Sequence, residues 1–396
     1  MKNAILIFSL TVFIYSCTGQ NNNTDHVTIK QDSVATKKAI AIDTVNNNLA
    51  RFIAGLKNES GNNFTELEKK SEWVNYKNLF DSSWTALENK RLNLMKQWAG
   101  TELASANKSS QNVFYPFSGP DFLNIYNFFP NGKTYTFIGL EPVGDVADMK
   151  SLSDKNLNSY LASIYNSLND LFKRSYFITK TMVKDMHNNE ITGALPILYV
   201  FLERTNNKIV SVRYIAVNQG GSVIDYDRVT MKNDSILKKS RGVEIKFLPS
   251  DTGSVRTLYY FSVNLADDKI AKNPGFVKYL DNLGTVTTYV KSASYLMHYL
   301  TFSTIRNVVL NHSAYLLQDD SGIAYRFFDK KEWNIKLYGN YAMPINDFRS
   351  QFEKDLYQAY KNDSTIQKIP FSLGYNWSGG GVNLMFASKK EEFKKE

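Results

Sequence analysis

Cysteine is nearly absent: the 396 residues contain one, Cys17. A single thiol excludes an intrachain disulfide and any site built from several thiolates. Histidine is scarce too. His26, His187, His298 and His312 are the whole set, and their spacing is not that of a metal site. The chain has neither a Walker-type phosphate loop nor the glycine fingerprint of dinucleotide-binding proteins. The glycines after Ser378 precede no helix and no lysine, so that run reads as the tip of a hairpin joining 371–377 to 382–387. Long apolar runs are also missing. The longest, Ala4 to Tyr15, has twelve residues, against about 20 needed to span a bilayer as a helix.

What is present at the start has the order of an export signal. Lys2 precedes the apolar run, and Ile14-Tyr15-Ser16 precede Cys17, the layout of a secretory signal cut after a small residue. A cysteine directly after the cut resembles the lipobox of bacterial lipoproteins, with Tyr15 departing from the small residue commonest there. The resemblance implies a diacylglyceryl thioether on Cys17 and an acyl chain on the new amino terminus. Each buried methylene adds about 0.8 kcal/mol, so several chains hold a protein firmly to a membrane. The alternative is an ordinary cleaved signal. Residues 1–16 are thus expected to be a signal peptide, and 17–48, rich in Asn, Thr, Asp and Lys, a lipidated cysteine with a disordered tether.

Asp32-Ser33-Val34, Asp43-Thr44-Val45, Asp234-Ser235-Ile236 and Asp363-Ser364-Thr365 resemble the O-glycosylation signal of Bacteroidetes envelope proteins. Polar turns account for such triplets equally well. Thr18-Gly19-Gln20 lacks the acidic residues of a surface-export tag. The expected address is therefore the cell envelope, anchored in the outer membrane and facing the periplasm.

Charge narrows the partners. The formal net charge is +9, spread as isolated pairs such as Lys37-Lys38, Lys69-Lys70, Lys238-Lys239 and Lys389-Lys390. A nucleic-acid binder concentrates its charge on one face, so nucleic acid is not expected. The expected partners are a membrane, through the lipid on Cys17, and an envelope protein or glycan. No cofactor and no metal is implied.

With 43 % hydrophobic and 14 % aromatic residues, the body can bury a large core. Residues 49–109 read as helical: from Phe64 to Trp98 apolar residues recur at three- and four-residue steps, with Asn63 and Glu66 as a capping pair. Residues 110–388 read as a mixed α/β (α+β) domain, and 389–396 as a charged tail. Two segments share one plan. Val113–Phe117, a short helix from Asp121 to Phe129 and Thr134–Leu140 form one strand–helix–strand unit. Thr285–Lys291, a helix over 295–310 and Ala314–Leu317 form another, each a βαβ unit with parallel strands. Residues 157–186 read as an amphipathic helix. Between the units lies an antiparallel meander, with hairpins joining 195–203 to 208–217 and 243–248 to 255–265. Phe352–Tyr360 reads as a helix.

The blocks Tyr115-Pro116-Phe117-Ser118-Gly119-Pro120-Asp121, Gly139-Leu140-Glu141-Pro142-Val143-Gly144 and Asp319-Asp320-Ser321-Gly322-Ile323 resemble signature blocks of an uncharacterised bacterial protein family. The resemblance covers about residues 110–388 and implies one evolutionary unit without implying an activity.

Topology supplies the candidate site, because ligands in open parallel sheets lie beyond the strand carboxyl ends. Ser118 and Asp121 follow the first strand and Glu141 the second. Ser292 and Ser294 follow the third, and Asp319, Asp320 and Ser321 the fourth. Gathered on one edge, these carboxylates would suit Ca²⁺ or Mg²⁺ or general acid chemistry. The same residues also suit plain duties, Asp121 as a helix cap and Glu141 and Asp320 as turn acceptors. His298, four residues from Ser294, allows a local Ser–His pair. Two functions follow: a binding or interaction module, or a hydrolase using Ser118, Asp121, Glu141 and Asp320.

Overall fold

The computed structural model describes residues 40–59, 61–109, 111–174, 191–231, 233–376 and 381–394. Cys17, the signal and most of the tether lie outside these residues, as do His26, His187 and 377–380. The chain divides into Met1–Ile40 and Ala41–Glu396, and the second unit is the one described below.

One ten-stranded sheet organises the unit. Its strands are β1 (Asn112–Tyr115), β2 (Thr134–Gly139), β3 (Asn207–Val217), β4 (Val223–Asp225), β5 (Arg241–Pro249), β6 (Arg256–Ser262), β7 (Val286–Val290), β8 (Ser313–Gln318), β9 (Trp333–Gly339) and β10 (Asn383–Lys389). The order across the sheet is β4-β3-β5-β6-β2-β1-β7-β8-β10-β9. The block β6-β2-β1-β7-β8 is parallel throughout, and both flanks are antiparallel. By order of appearance, the parallel strands run third, second, first, fourth, fifth. That is the doubly wound arrangement, in which the chain turns back at the first strand and opens a crevice there. The mixed α/β class and both βαβ units are as expected from the sequence, and β3–β5 extend one edge as a meander inserted between β2 and β6.

Alternation along the strands fixes two cores. Val113 and Tyr115 face one apolar cluster and Phe114 the other; Tyr135 and Phe137 oppose Ile138 in the same way. The first core is covered by α1 (Thr44–Ile53), α2 (Ser71–Leu87), α3 (Asn93–Glu102), α4 (Phe122–Phe128), α5 (Asp154–Ser167) and α6 (Leu195–Arg204). The second is covered by α7 (Pro274–Asp281), α8 (Ser303–His312) and α9 (Lys354–Asn362). So α4 after β1 and α8 after β7 pack into different cores, which is what separates their connecting loops at the crevice.

Several local expectations are corrected. Residues 195–203 form helix α6, not a strand; all nine are buried, so the apolar run has no polar face to reveal its period, and Pro196 sits in the first turn, where proline is tolerated. Residues 371–376 form no strand. β10 pairs instead with β8 and with β9, a strand the sequence reading missed. The helix expected from Tyr295 starts as two 3₁₀ turns, and α8 begins only at Ser303. There the Asp267 carboxylate accepts the Ser303 and Thr304 amides at 3.1 and 3.0 Å. Asn63 and Glu66 do not cap a helix: the Phe64 amide donates to Asn62, and Glu66 pairs with Lys69. Helix α1 starts inside the stretch read as tether, because the Asp43 side chain accepts the Asn46 amide and caps it. Of the stretch 157–186, residues 157–167 belong to α5 and Asn169–Arg174 form a short helix, while 175–186 lie outside the described residues; Lys389 belongs to β10 rather than to a tail.

The aspartates of the described Asp-Ser/Thr triplets all serve as turn or cap acceptors. Asp234 accepts the Ile236 and Leu237 amides, and Asp363 accepts the Thr365 amide.

Candidate functional site

The loops after four of the five parallel strands, β1, β2, β6 and β7, converge on one cavity of about 290 Å³. Its position follows from the sheet: β1 and β7 are neighbours whose connections leave toward different cores, so nothing fills the gap at their carboxyl ends.

The β1 loop supplies Phe117, Ser118, Gly119 and Asp121. Phe117 and Gly119 both have positive φ, 60° and 51°, which turns the chain sharply enough to place Asp121 at the start of α4. Asp121 performs two tasks at once. Its Oδ1 accepts the Asn124 amide at 3.1 Å and caps α4. Its Oδ2 accepts from the Tyr115 hydroxyl at 3.1 Å and lies 3.2 Å from Lys291 Nζ. Both members of this ion pair are 2 % exposed, and the pair bridges the β1 and β7 loops across the crevice.

β2 ends at Gly139, and Glu141 turns back over it. The Glu141 residue is buried, and burial raises its carboxyl pKa. Tyr260 donates to its carbonyl oxygen at 2.7 Å, with Oε2 more distant at 3.4 Å. A Cβ at Gly139 would stand 2.6 Å from Glu141 Oε2 and 2.7 Å from the Tyr260 hydroxyl. The block Gly-Leu-Glu-Pro therefore needs its glycine to let the carboxyl fold inward. Val263, Asn264 and Leu265, after β6, complete this wall.

The β7 loop is the most strained part of the unit. Ser292, Ser294 and Tyr295 have φ of 50°, 53° and 57°, and with Phe117 they make four of the five non-glycine residues with positive φ among the described residues. Such conformations persist only where surroundings hold them, and they gather at functional sites. Here the β8 loop is the holder. Asp319 Oδ2 accepts the Ser292 amide at 3.0 Å, and Asp319 Oδ1 accepts the Ser321 amide at 3.0 Å together with its hydroxyl. Ser321 Oγ in turn accepts the Ala293 amide at 2.8 Å. Asp319 is a positioning group behind the cavity and does not line it.

The expected site is thus divided. Ser118, Asp121, Glu141, Ser292 and Ser294 line the cavity, whereas Asp319, Asp320, Ser321 and His298 do not. Asp320 faces away, accepting from the Tyr295 hydroxyl and from Asn383 Nδ2 at 2.9 Å. The Ser294–His298 pair does not form: Ser294 bonds the Tyr375 hydroxyl, and His298 Nε2 lies 3.8 Å from Glu353 Oε1. No serine of the cavity donates to a histidine or carboxylate among the described residues, so a hydrolytic triad is not assembled there. Among the described residues no three His, Cys, Asp or Glu side chains stand together as a metal site, so the carboxylates do not form the oxygen cluster that Ca²⁺ would need. Sequence reasoning missed Lys291, Tyr115, Asn264 and Phe302. The signal for Lys291 was a lone charge closing the uncharged, β-branched run Val286–Val290.

The group behind the cavity is electrostatically sensitive. Burial and the neighbouring Asp319 charge push Asp320 up to about 7, and burial pushes Glu353 up to about 7. Burial, helped by the Arg326 charge, pulls His298 down to about 4. A carboxyl raised on folding favours the folded state while protonated. That contribution is complete below the ordinary values of 3.8 and 4.5 and is lost as pH climbs through about 7. His298 acts oppositely: its contribution is full above 6.5 and is lost as pH falls through about 4. With two carboxyls against one imidazole, stability should fall between about pH 5 and about pH 7.5. Glu353→Gln should shrink the difference between urea midpoints at those two pH values; an unchanged difference would remove Glu353 from the account.

No protein family's sequence profile matches the chain, and no curated protein matches it. Among the described residues no helix is long and apolar enough to cross a membrane.

Proposed function

We propose that this protein is a membrane-tethered binding module of the bacterial cell envelope, and that the cavity at the β1–β7 crevice is its ligand site. One observation carries the reading: the ends of four parallel strands, β1, β2, β6 and β7, meet at a small cavity with apolar walls and a buried ion pair. Phe117, Ile138, Leu140, Val263, Leu265, Leu296 and Phe302 supply the walls, while Asp121, Lys291 and Glu141 supply few, fixed polar groups. That is the composition of a small-molecule site, where apolar area gives affinity and a few polar groups give orientation. Stored strain in the β7 loop agrees with a binding role, since a loop held in advance loses less freedom when a ligand arrives.

Native mass spectrometry of the protein isolated from its own envelope tests the site. A mass in excess of the polypeptide and its lipid, lost in Leu265→Trp, supports it. Equal masses in both, with no melting shift from any small-molecule library, would refute a binding module. The anchor has its own test. Cells fed a clickable palmitate should label the wild type and not Cys17→Ala, and equal labelling would overturn the lipoprotein reading.

A further inference from the structure

Resting on the binding-module reading, we infer that the ligand is a ribonucleoside without a 5′-phosphate, held by its ribose diol on the Glu141 carboxyl group. The strand order is the first reason. Dinucleotide-binding sheets of the order third, second, first, fourth, fifth hold their ligand over the turn after the first strand. In that arrangement an acidic residue ending the second strand, about 20 residues beyond the turn glycine, accepts from the ribose hydroxyls. Gly119 and Glu141 are 22 residues apart (141 − 119), on the β1 turn and just past the end of β2. The two also meet in space, since a Cβ on Gly119 would lie 3.4 Å from Glu141 Oε2. Bare backbone there lets the Glu141 carboxyl pack directly against the turn.

The chemistry of Glu141 fits a vicinal diol. A carboxylate offers two oxygens with several lone pairs, and two adjacent hydroxyls can donate one hydrogen bond to each. Tyr260 spends its hydroxyl mainly on the Glu141 carbonyl oxygen, at 2.7 Å against 3.4 Å for Oε2. Leu140, Val263 and Leu265 line the same cavity as Glu141 and offer apolar contact to a base. Asn264, whose Oδ1 is engaged by the Ala266 amide at 3.0 Å, also lines the cavity and offers a polar group to a base edge.

The same turn argues against phosphate. Dinucleotides place their pyrophosphate at the amino end of the helix after β1, and here the Asp121 carboxylate already occupies that place. Its oxygens take the Asn124 amide, the Tyr115 hydroxyl and the Lys291 ammonium. A phosphate would have to displace a carboxylate that already holds the helix amide and the Lys291 ammonium. The missing glycine fingerprint agrees, because its second glycine exists to let backbone approach a pyrophosphate.

Calorimetric titration of the full-length protein in detergent tests this with adenosine, guanosine, cytidine and uridine. At least one should bind, with its 2′-deoxy form weaker by about tenfold or more, the loss expected for a hydrogen bond to a charged group, and with its 5′-monophosphate weaker than the nucleoside. Glu141→Gln should lose about the same factor, and the deoxy comparison on wild type stands even if that variant folds poorly. Equal binding of ribo and deoxy forms, or tighter binding of the monophosphate or of NAD, would overturn the assignment. If no nucleoside binds while native mass spectrometry shows another ligand lost in Leu265→Trp, the nucleoside assignment fails and the binding module stands. If neither experiment finds a ligand, both fail.

Discussion

Asp121→Asn is expected to lower the unfolding free energy by about 3–5 kcal/mol, the usual cost of breaking a buried ion pair from one side. The substitution keeps the volume and leaves Oδ1 to accept the Asn124 amide, so the helix cap survives. What it removes is the negative charge 3.2 Å from Lys291 in a place where both side chains are 2 % exposed. A domain holds only about 5–15 kcal/mol in total, so the loss is large enough to read directly from urea unfolding. Lys291→Met in the same background should return most of it, because replacing both charges by apolar groups of similar volume is often neutral. The double-mutant cycle gives the coupling; a coupling near zero would mean that the bridge between the β1 and β7 loops holds nothing together.

Asp319→Ala should cost a similar amount, about 3–5 kcal/mol, through a different route. The carboxylate receives the amides of Ser292 and Ser321 and the Ser321 hydroxyl. Leaving a buried donor unsatisfied costs about 1–3 kcal/mol each. The strained backbone then has less to hold it, since three residues of the β7 loop stand at φ of 50° to 57° and each such conformation stores about 1–3 kcal/mol. Hydrogen exchange should therefore accelerate locally over 291–295 and far less in the strands. Adding Ser292→Gly should recover part of the stability, because glycine adopts positive φ without penalty. If the glycine variant has no effect in the Asp319→Ala background, the strain does not reside at Ser292.

Much of the site was legible in the sequence because strand–helix–strand units have a known geometry. Placing Ser118, Asp121, Glu141, Ser292 and Ser294 at carboxyl ends required only that β1, β2, β7 and β8 share one sheet and one direction. Asp121 as a helix cap was legible too, from its position before Phe122. The failures have one physical origin each. Asp320 was grouped with Asp319, yet successive residues at a strand end point to opposite sides, so only one of them can reach the β7 loop. His298 was paired with Ser294 on helical spacing, but left-handed Tyr295 breaks the helix between them. Residues 195–203 were read as a strand because a helix buried on all sides has no amphipathic period. Lys291 could not be recognised as half of an ion pair, since its partner lies 170 residues earlier (291 − 121).

β10 inserts between β8 and β9, and its Asn383 exchanges two hydrogen bonds with Asp320, one to the side chain and one from the main chain. The loop that locks the β7 turn is thus tied to a strand some 60 residues further along. During synthesis, β1, β2, β7 and β8 can all be present while Asp320 still lacks Asn383. Pairing across such separations is slow to form, so the crevice should be the last part of the molecule to mature. A ligand that waits for it would then report completion of folding as well as occupancy.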